Sequence, residues 1–218
     1  MTPYAARATT LRNRAALLSH GWRLLLTPGQ HEKPVDGFKY ALDNGAWSAY
    51  QSGKPFDGVG FLHAMERVGA GADWIVIPDI VAGGMQSLEF SRHWIPKLRK
   101  VGTPLLLAVQ DGMAVEDVIP VLDLGNIGIF VGGTTEWKLR TLHEWGELAA
   151  FCHCHLHVGR VNTKRRIKLC QEARADSFDG SSATRYSVTL PMLDGARRQL
   201  HLIAVAADEQ AGKVVGMR

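Results

Sequence analysis

The apolar residues of the chain fall into short runs of β-branched and aliphatic residues, separated by longer segments with helical spacing. Two of these runs, 75–77 and 105–109, contain no polar residue, which is typical of parallel strands buried on both faces. Seven runs are predicted to be strands: 22–26, 40–43, 74–78, 105–110, 127–131, 152–158 and 176–179.

The segments between the strands carry apolar residues three or four positions apart, as in 62–68 and 115–122, and are predicted to be helices. Glycine-containing turns such as Asn44-Gly45 and Gly132-Gly133 follow the strands. This alternation predicts an α/β fold, a compact TIM-type (β/α)₈ barrel whose remaining strand lies near one end of the chain. An open doubly wound sheet fits the same pattern. We expect one domain over residues 1–218.

The composition narrows the class of protein. Charged residues make up 21% of the chain and apolar residues 46%, as in ordinary soluble globular domains. No run approaches the roughly 18 to 20 apolar residues that span a bilayer, and the first residues lack the apolar core of a signal peptide, so no membrane partner is expected. Three irregularly spaced cysteines are not a disulfide framework and favour a cytoplasmic location. The oligomeric state stays open.

A polar residue or a glycine stands at the carboxyl end of almost every predicted strand. In an α/β barrel these ends converge on one face, where active sites lie, so we expect one shared pocket. Asn162 directly precedes a basic helix and is interpreted as its N-cap. Several carboxylates in one pocket are costly unless function or binding partners compensate. The residues are Asp43, Asp79, Gln110, Gly132, Gly133, Arg160, Asn162 and Asp179.

Two carboxylates placed on opposite sides of an N-glycosidic bond suit a particular chemistry. One can attack the anomeric carbon of the sugar while the other protonates the departing base. A third, Asp79, could accept hydrogen bonds from the N1–H and exocyclic amine of a guanine. The residues alone therefore favour either transfer or hydrolysis of a glycosyl group at a purine nucleoside.

Six segments, in this order along the chain, carry a resemblance to a known family. They are Leu42-Asp43-Asn44-Gly45-Ala46-Trp47, Ile77-Pro78-Asp79, Val109-Gln110-Asp111-Gly112, Phe130-Val131-Gly132-Gly133, His157-Val158-Gly159-Arg160 and the stretch from Ser177 to Arg185. Together they resemble the tRNA-guanine transglycosylase superfamily, most closely its small phage members that insert 7-deazaguanines into DNA. The resemblance covers about two-thirds of the chain.

The resemblance implies roles for individual residues. Asp43 is the general acid and base, and Asp179 is the nucleophile. The residues expected to bind the base are Asp79, Gln110, Gly132, Gly133, Asn44 and Trp47. The residues expected to bind the nucleic acid are Arg160, Lys164, Arg165, Arg166, Lys168 and Arg185.

The reaction implied by the resemblance is a double displacement on DNA. Asp179 would form an ester with the deoxyribose while Asp43 protonates the leaving guanine, and a 7-deazaguanine would then displace the ester. We expect this base to be 7-cyano-7-deazaguanine. The target nucleotide must be flipped out of a duplex or arrive single-stranded. Trp47 or Tyr50 could stack on a base, although Trp47 fits the core equally well.

One departure from the family concerns metal. The family carries a structural zinc site after the position of Arg185, whereas no cysteine follows Cys170 here, so we expect no zinc subdomain and no cofactor. The stretch from Cys152 to His157 offers an alternative metal site. As a strand, it would place three histidines on one face over about 13 Å, too far for one ion, which favours packed barrel residues.

Five basic residues and no acidic residue lie between Val158 and Cys170. This block can attract the phosphates of a nucleic acid, although a solvated helix face is the plainer interpretation. Three other functions remain open: a hydrolase or DNA glycosylase that cleaves the N-glycosidic bond and stops, a tRNA-guanine transglycosylase, and a non-catalytic nucleic-acid-binding barrel.

Overall fold

The computed structural model describes residues 1–6, 8, 10–29, 33–185 and 189–198. Within these residues, eight parallel strands close into a barrel in chain order, which confirms the predicted (β/α)₈ fold. The strands are β1 (Thr2–Ala5), β2 (Arg23–Leu26), β3 (Tyr40–Leu42), β4 (Ile75–Val76), β5 (Leu105–Val109), β6 (Ile127–Val131), β7 (Leu156–Val158) and β8 (Ser177–Asp179). The expected single domain of residues 1–218 includes 7, 9, 30–32, 186–188 and 199–218, which lie outside the described residues.

Helices connect the strands and pack around the barrel. They are α1 (Leu11–Ser19), α2 (Ala46–Gln51), α3 (Gly58–Val68), α4 (Met85–Leu98), α5 (Val115–Leu122), α6 (Thr135–Phe151), α7 (Lys164–Glu172) and α8 (Ser182–Arg185), with a further helix over 189–198. Short 3₁₀ turns follow α3 and α4. None of the helices in the described ranges is both long and apolar enough to cross a membrane.

The first strand closes the barrel. Tyr4 of β1 is paired with Arg23 of β2 on one side and with Asp179 of β8 on the other. The backbone N–H of Gly180 donates to the Tyr4 carbonyl at 3.2 Å. This closure excludes the open sheet and identifies β1 as the strand that the apolar pattern left unplaced.

Two separate cores explain why several strands lack polar residues. Ile75 and Leu107 point outward into a large core shared with the helices. Trp74, Val76 and Leu106 point inward into a smaller cluster that fills part of the barrel interior. A strand that contributes to both cores has no face left for water, as expected of parallel strands in a barrel.

Two local predictions were wrong. The strand predicted over 152–158 starts only at Leu156, because α6 continues to Phe151 and its last turn is closed by Cys152 and Cys154, whose N–H groups donate to carbonyls of α6. Asn162 does not cap α7: Thr163 does, through its side chain, and the Asn162 Oδ1 accepts instead from the N–H of Ser182 at 2.9 Å.

Candidate active site

A cavity of about 400 Å³ opens at the carboxyl ends of the strands, a size typical of small-molecule sites. Nearly all strand-end residues singled out in the sequence line it, and Asn162 is the exception. Asn44 and Trp47 line it as well. The strand-end residues in the lining are Asp43, Asp79, Gln110, Gly132, Gly133, Arg160 and Asp179.

Asp43 follows β3 and is held by its own backbone. Its N–H donates to the carbonyl of Leu26 at 2.8 Å, and its Oδ1 accepts from the N–H of Asn44 at 2.9 Å. Burial raises the pKa of Asp43 to about 7, and the negative charges of Asp179 and Asp79 add to the rise. A carboxyl group with this pKa exchanges protons readily near neutral pH, which suits a general acid and base.

Asp79 lies beside Asp43 and is fixed by Asn44. The amide nitrogen of Asn44 donates to Oδ1 of Asp79 at 2.7 Å and to the carbonyl of Ile77 at 2.9 Å. The side-chain Oδ1 of Asn44 accepts from the N–H of Ala46 at 2.8 Å. Burial raises the pKa of Asp79 to about 6, and the hydrogen bond from Asn44 opposes the rise. Since Asn44 uses its amide within the protein, its geometry suits positioning Asp79.

Asp179 ends β8 with only 15% of its side chain exposed, and each carboxylate oxygen has a neighbouring donor. Its Oδ2 lies 3.1 Å from Nε2 of His157, and its Oδ1 accepts from the backbone N–H of Arg160 at 3.2 Å. These two contacts fix the orientation of the carboxyl group. An aspartate held in this way is placed to act as a nucleophile.

Arg160 joins two sides of the cavity. Its backbone has a φ of 60°, a conformation that costs a non-glycine residue roughly 1 to 2 kcal/mol. Its guanidinium donates to the carbonyl of Gly133 and lies 4.4 Å from the ring centre of Trp47. Trp47 in turn stacks on Tyr50 with ring centres 5.8 Å apart. Both aromatic rings are exposed at the rim of the cavity, so Trp47 is not a core residue.

The side of the cavity at the ends of β5 and β6 is lined by two glycines and one buried amide. A side chain at Gly133, whose φ is 65°, would collide with Trp137 and Asp111, and a Cβ at Gly132 would lie 3.3 Å from the carbonyl of Val109. Gln110 is 3% exposed and donates through Nε2 to the carbonyl of Ile80 at 2.9 Å. Packing against neighbouring protein atoms therefore favours glycine at both positions, and both glycines line the cavity.

The basic block predicted in the sequence lies on α7. Lys164 and Arg165 are exposed in its first turn, at the end of the barrel that carries the cavity, because α7 follows β7. Lys168 is exposed further along and pairs with Glu172 at 3.7 Å. Arg166 is half-buried and donates to the carbonyl of Arg160 at 3.3 Å. The side chain of Arg185, in α8, lies outside the described residues.

Sequence reasoning missed three buried polar residues near Asp179. Ser177 and His157 are fully buried inside the barrel. Lys138, 6% exposed, donates from Nζ to the carbonyl of Gly159, and burial lowers its pKa to about 7. The histidine stretch was the available signal for His157, and it was interpreted as packed barrel residues, with a metal site as the alternative; its contact with Asp179 was not foreseen. Within the described ranges, no three metal-binding side chains come close enough together to hold an ion.

No protein-family model and no curated protein sequence matches the chain. A mutant tryptophan synthase alpha-subunit from the hyperthermophile Pyrococcus furiosus has a TM-score of 0.56 and 14% identity, covering 91% of this chain and 96% of that one. 3-Hexulose-6-phosphate synthase has a TM-score of 0.58 and 14% identity, covering 90% of this chain and 99% of that one. A mandelate oxidase variant has a TM-score of 0.55 and 15% identity, covering 96% of this chain and 73% of that one. None of these three is a transglycosylase, and at such identities the likeness shows the barrel fold alone.

Proposed function

We propose that this chain is a guanine transglycosylase, a pentosyl-transferring enzyme that replaces a guanine base in DNA with a 7-deazaguanine. The proposal is carried by one observation: Asp43, Asp79 and Asp179, from three separate strand ends, line a single cavity. It is further supported by the order of the family-like segments in the sequence. The barrel fold agrees with the proposal but does not discriminate between chemistries.

The first step uses the two differently placed carboxyl groups. An oxygen of Asp179 bonds to C1′ of a deoxyguanosine as the C1′–N9 bond breaks, and the proton of Asp43 passes to the departing guanine. The raised pKa keeps Asp43 protonated for this task up to about pH 7. The products are free guanine, an aspartyl sugar ester and an Asp43 carboxylate.

The second step reverses the proton transfer. The negative charge of Asp179 is one cause of the raised pKa of Asp43, and forming the ester removes that charge. The pKa of Asp43 therefore falls, so its carboxylate is more easily kept and can act as a base. Asp43 takes the N9 proton of the incoming 7-deazaguanine, and N9 attacks C1′. The C1′–oxygen bond breaks and the Asp179 carboxylate is restored.

The base would be recognised by its edge and its faces. Asp79 offers carboxylate oxygens to the N1–H and exocyclic amine of a guanine-like ring. Val76, Ala108 and Phe130 supply apolar surface beside it, and Gly132 gives the ring room against the backbone. We propose 7-cyano-7-deazaguanine as the incoming base, on the strength of the family resemblance.

DNA would approach over the rim. Lys164 and Arg165 can hold backbone phosphates, and the exposed Trp47 and Tyr50 can stack on an unpaired base. The target nucleotide must leave its base stack to reach carboxylates inside the cavity, at a cost of roughly a few kcal/mol.

The test is nucleoside mass spectrometry after incubation with single-stranded DNA, duplex DNA or tRNA, each with 7-cyano-7-deazaguanine or its aminomethyl counterpart. A 7-deazaguanine deoxynucleoside in DNA is the expected product. Abasic sites without transfer would show a hydrolase, and a modified tRNA alone would move the substrate to RNA. DNA binding that survives loss of Asp43 and Asp179, with no product in the parent protein, would show a non-catalytic barrel.

A further inference from the structure

A chain of hydrogen bonds runs through the barrel interior away from Asp179. From Asp179 Oδ2 it passes to Nε2 of His157 at 3.1 Å, and from Nδ1 of His157 to Oγ of Ser177 at 2.8 Å. From the same Oγ it reaches Nε2 of His155 at 2.6 Å. We call these four residues the interior chain. It is a polar path through an interior that the other strands fill mainly with apolar side chains.

The register of β7 and β8 builds the interior chain. His157 is paired with Ser177 across the two strands. Asp179 lies two residues after Ser177 in β8, and His155 lies two residues before His157. Side chains two positions apart share a face of a strand, so all four point into the barrel. The arrangement therefore follows from barrel closure.

With Asp179 ionised and His157 neutral, the interior chain has one consistent proton placement. As the nucleophile, Asp179 is a carboxylate and only accepts, so Nε2 of His157 carries the proton. The neutral ring then has a bare Nδ1, which accepts from the hydroxyl of Ser177. The Ser177 oxygen in turn accepts from Nε2–H of His155. Each donor thus has one acceptor, and His157 is held in the Nε2–H tautomer.

The surroundings keep His157 neutral and fixed. Its ring is fully buried and stacks on Phe130 with ring centres 4.8 Å apart. The ring centre of Trp74 lies 4.6 Å from that of His157. Burial lowers the pKa of His157, and Asp179 opposes this. Burial also lowers the pKa of His155 to about 4. A ring packed this tightly has little freedom to turn its Nε2 away from Asp179.

We propose that His157, held in one tautomer by Ser177, is a positioning residue that prepares Asp179 to leave the sugar in the second step. This inference rests on the proposed function. His157 contacts Oδ2, and a Cβ added at Gly159 would lie 3.3 Å from the same oxygen. We therefore assign Oδ1, which accepts from the backbone N–H of Arg160, as the oxygen that bonds with C1′. Oδ2 is then the carbonyl oxygen of the ester.

The hydrogen bond acts unequally on the two steps. In the first step Asp179 loses negative charge, so the bond from His157 weakens and contributes mainly orientation. In the second step the electron pair of the C1′–Oδ1 bond returns to the carboxylate, and the bond from His157 strengthens. A fixed donor aimed at developing charge accelerates the step in which the charge appears. Loss of the donor therefore slows breakdown of the ester more than its formation.

The tautomer can be tested without activity. ¹⁵N-edited NMR of histidine-labelled protein distinguishes a protonated ring nitrogen from a bare one. We expect Nε2 of His157 to be protonated and Nδ1 bare in the parent protein, and a mixture of tautomers in Ser177→Ala. A His157 protonated at Nδ1 in the parent would overturn the inference, whatever reaction the protein catalyses.

The step is tested by forming the covalent adduct with guanine-containing DNA and chasing it with 7-cyano-7-deazaguanine. We expect His157→Phe to slow adduct decay about 10- to 100-fold and adduct formation much less, so that adduct accumulates. His157→Gln, which keeps an N–H donor, should restore most of the decay rate and also serves if the phenylalanine variant does not fold. His153→Gln, an exposed histidine, is the matched control.

The outcomes separate the inference from the proposed function. If the parent protein forms no adduct and exchanges no base, the proposed function fails, while the NMR result still reports on the interior chain. If the parent exchanges bases and His157→Phe slows both steps equally, or neither, the positioning role of His157 is wrong.

Discussion

The cavity has two sides that treat the same kind of side chain in opposite ways. On the β3–β4 side, Asp43 and Asp79 are close enough for their charges to interact, and the pKa of each is raised. On the β7–β8 side, Asp179 has a donor for each oxygen, from His157 and from the backbone of Arg160. The first side favours a carboxyl group that holds a proton, and the second holds a carboxyl group in a fixed orientation through a contact at each oxygen.

The difference shows that location, not residue type, divides the proposed roles of acid and nucleophile. Burial raises the pKa of a carboxyl group and neighbouring negative charges add to the rise, whereas hydrogen bonds to the charged form oppose it. Pairs of titratable groups whose surroundings favour opposite protonation states commonly mark acid and nucleophile in enzymes. The predictions below test each side in turn.

The largest expected effect comes from the β7–β8 side. Asp179→Asn keeps the size of the side chain but removes the nucleophile, so we expect exchange to fall on the order of 10⁴-fold. The covalent DNA adduct, trapped and measured by gel shift, should disappear. Asp36→Asn, at an exposed aspartate outside the cavity lining, is the control. Adduct persisting in Asp179→Asn would assign the nucleophile to another residue.

On the β3–β4 side, Asp43→Asn removes the acid and should slow adduct formation roughly 10² to 10⁴-fold. In the parent protein the rate of adduct formation should be level below pH 7 and fall about tenfold per pH unit above it. The reason is that the first step needs protonated Asp43, and the pKa of Asp43 is about 7. Single-turnover rates measured from pH 5 to 9 check this. An unchanged break near pH 7 in Asp43→Asn would assign it to a different group.

A smaller effect is expected outside both sides, on α7. Replacing Lys164 and Arg165 together with alanine should weaken DNA binding several-fold and lower the slope of log affinity against log salt by about 1 to 2. Fluorescence anisotropy at several salt concentrations measures both. Lys100→Ala, an exposed lysine at the other end of the barrel, should leave the slope unchanged. Equal losses in the two proteins would remove α7 from the binding surface.

The smallest effect concerns stability. The folded pKa of Asp43, about 7, lies above its ordinary 3.8, so ionising it costs folding free energy that is absent below about pH 4 and complete above about pH 7. Asp43→Asn should therefore stabilise the protein by about 1 to 3 kcal/mol more at pH 8 than at pH 4. Denaturant unfolding at both pH values checks this against Asp36→Asn. A stabilisation independent of pH would contradict the raised pKa.

The strands and most of the cavity residues could be read from the sequence, because both leave local patterns. The apolar runs of β4 and β5 and the polar residues after the strands were visible without knowledge of tertiary contacts. Asp43 and Asp79 stood out because a carboxylate is unusual at the end of an apolar run.

The interior chain was not predictable in the same way. Ser177 is a small residue before an apolar one, and nothing near it along the chain indicates that two histidines about 20 residues earlier share its hydroxyl. The boundary at Leu156 was missed for a related reason. The length of α6 depends on its packing against the barrel, and a helix end followed by a short strand resembles one longer strand in sequence.

The pairing of β1 with β8 has a practical consequence. Thr2 donates to the carbonyl of Asp176 at 2.7 Å, and Tyr4 is paired with Asp179. The proposed nucleophile is thus anchored by β1. A substitution that displaces β1 would disturb the position of Asp179 although it lies more than 170 residues away along the chain.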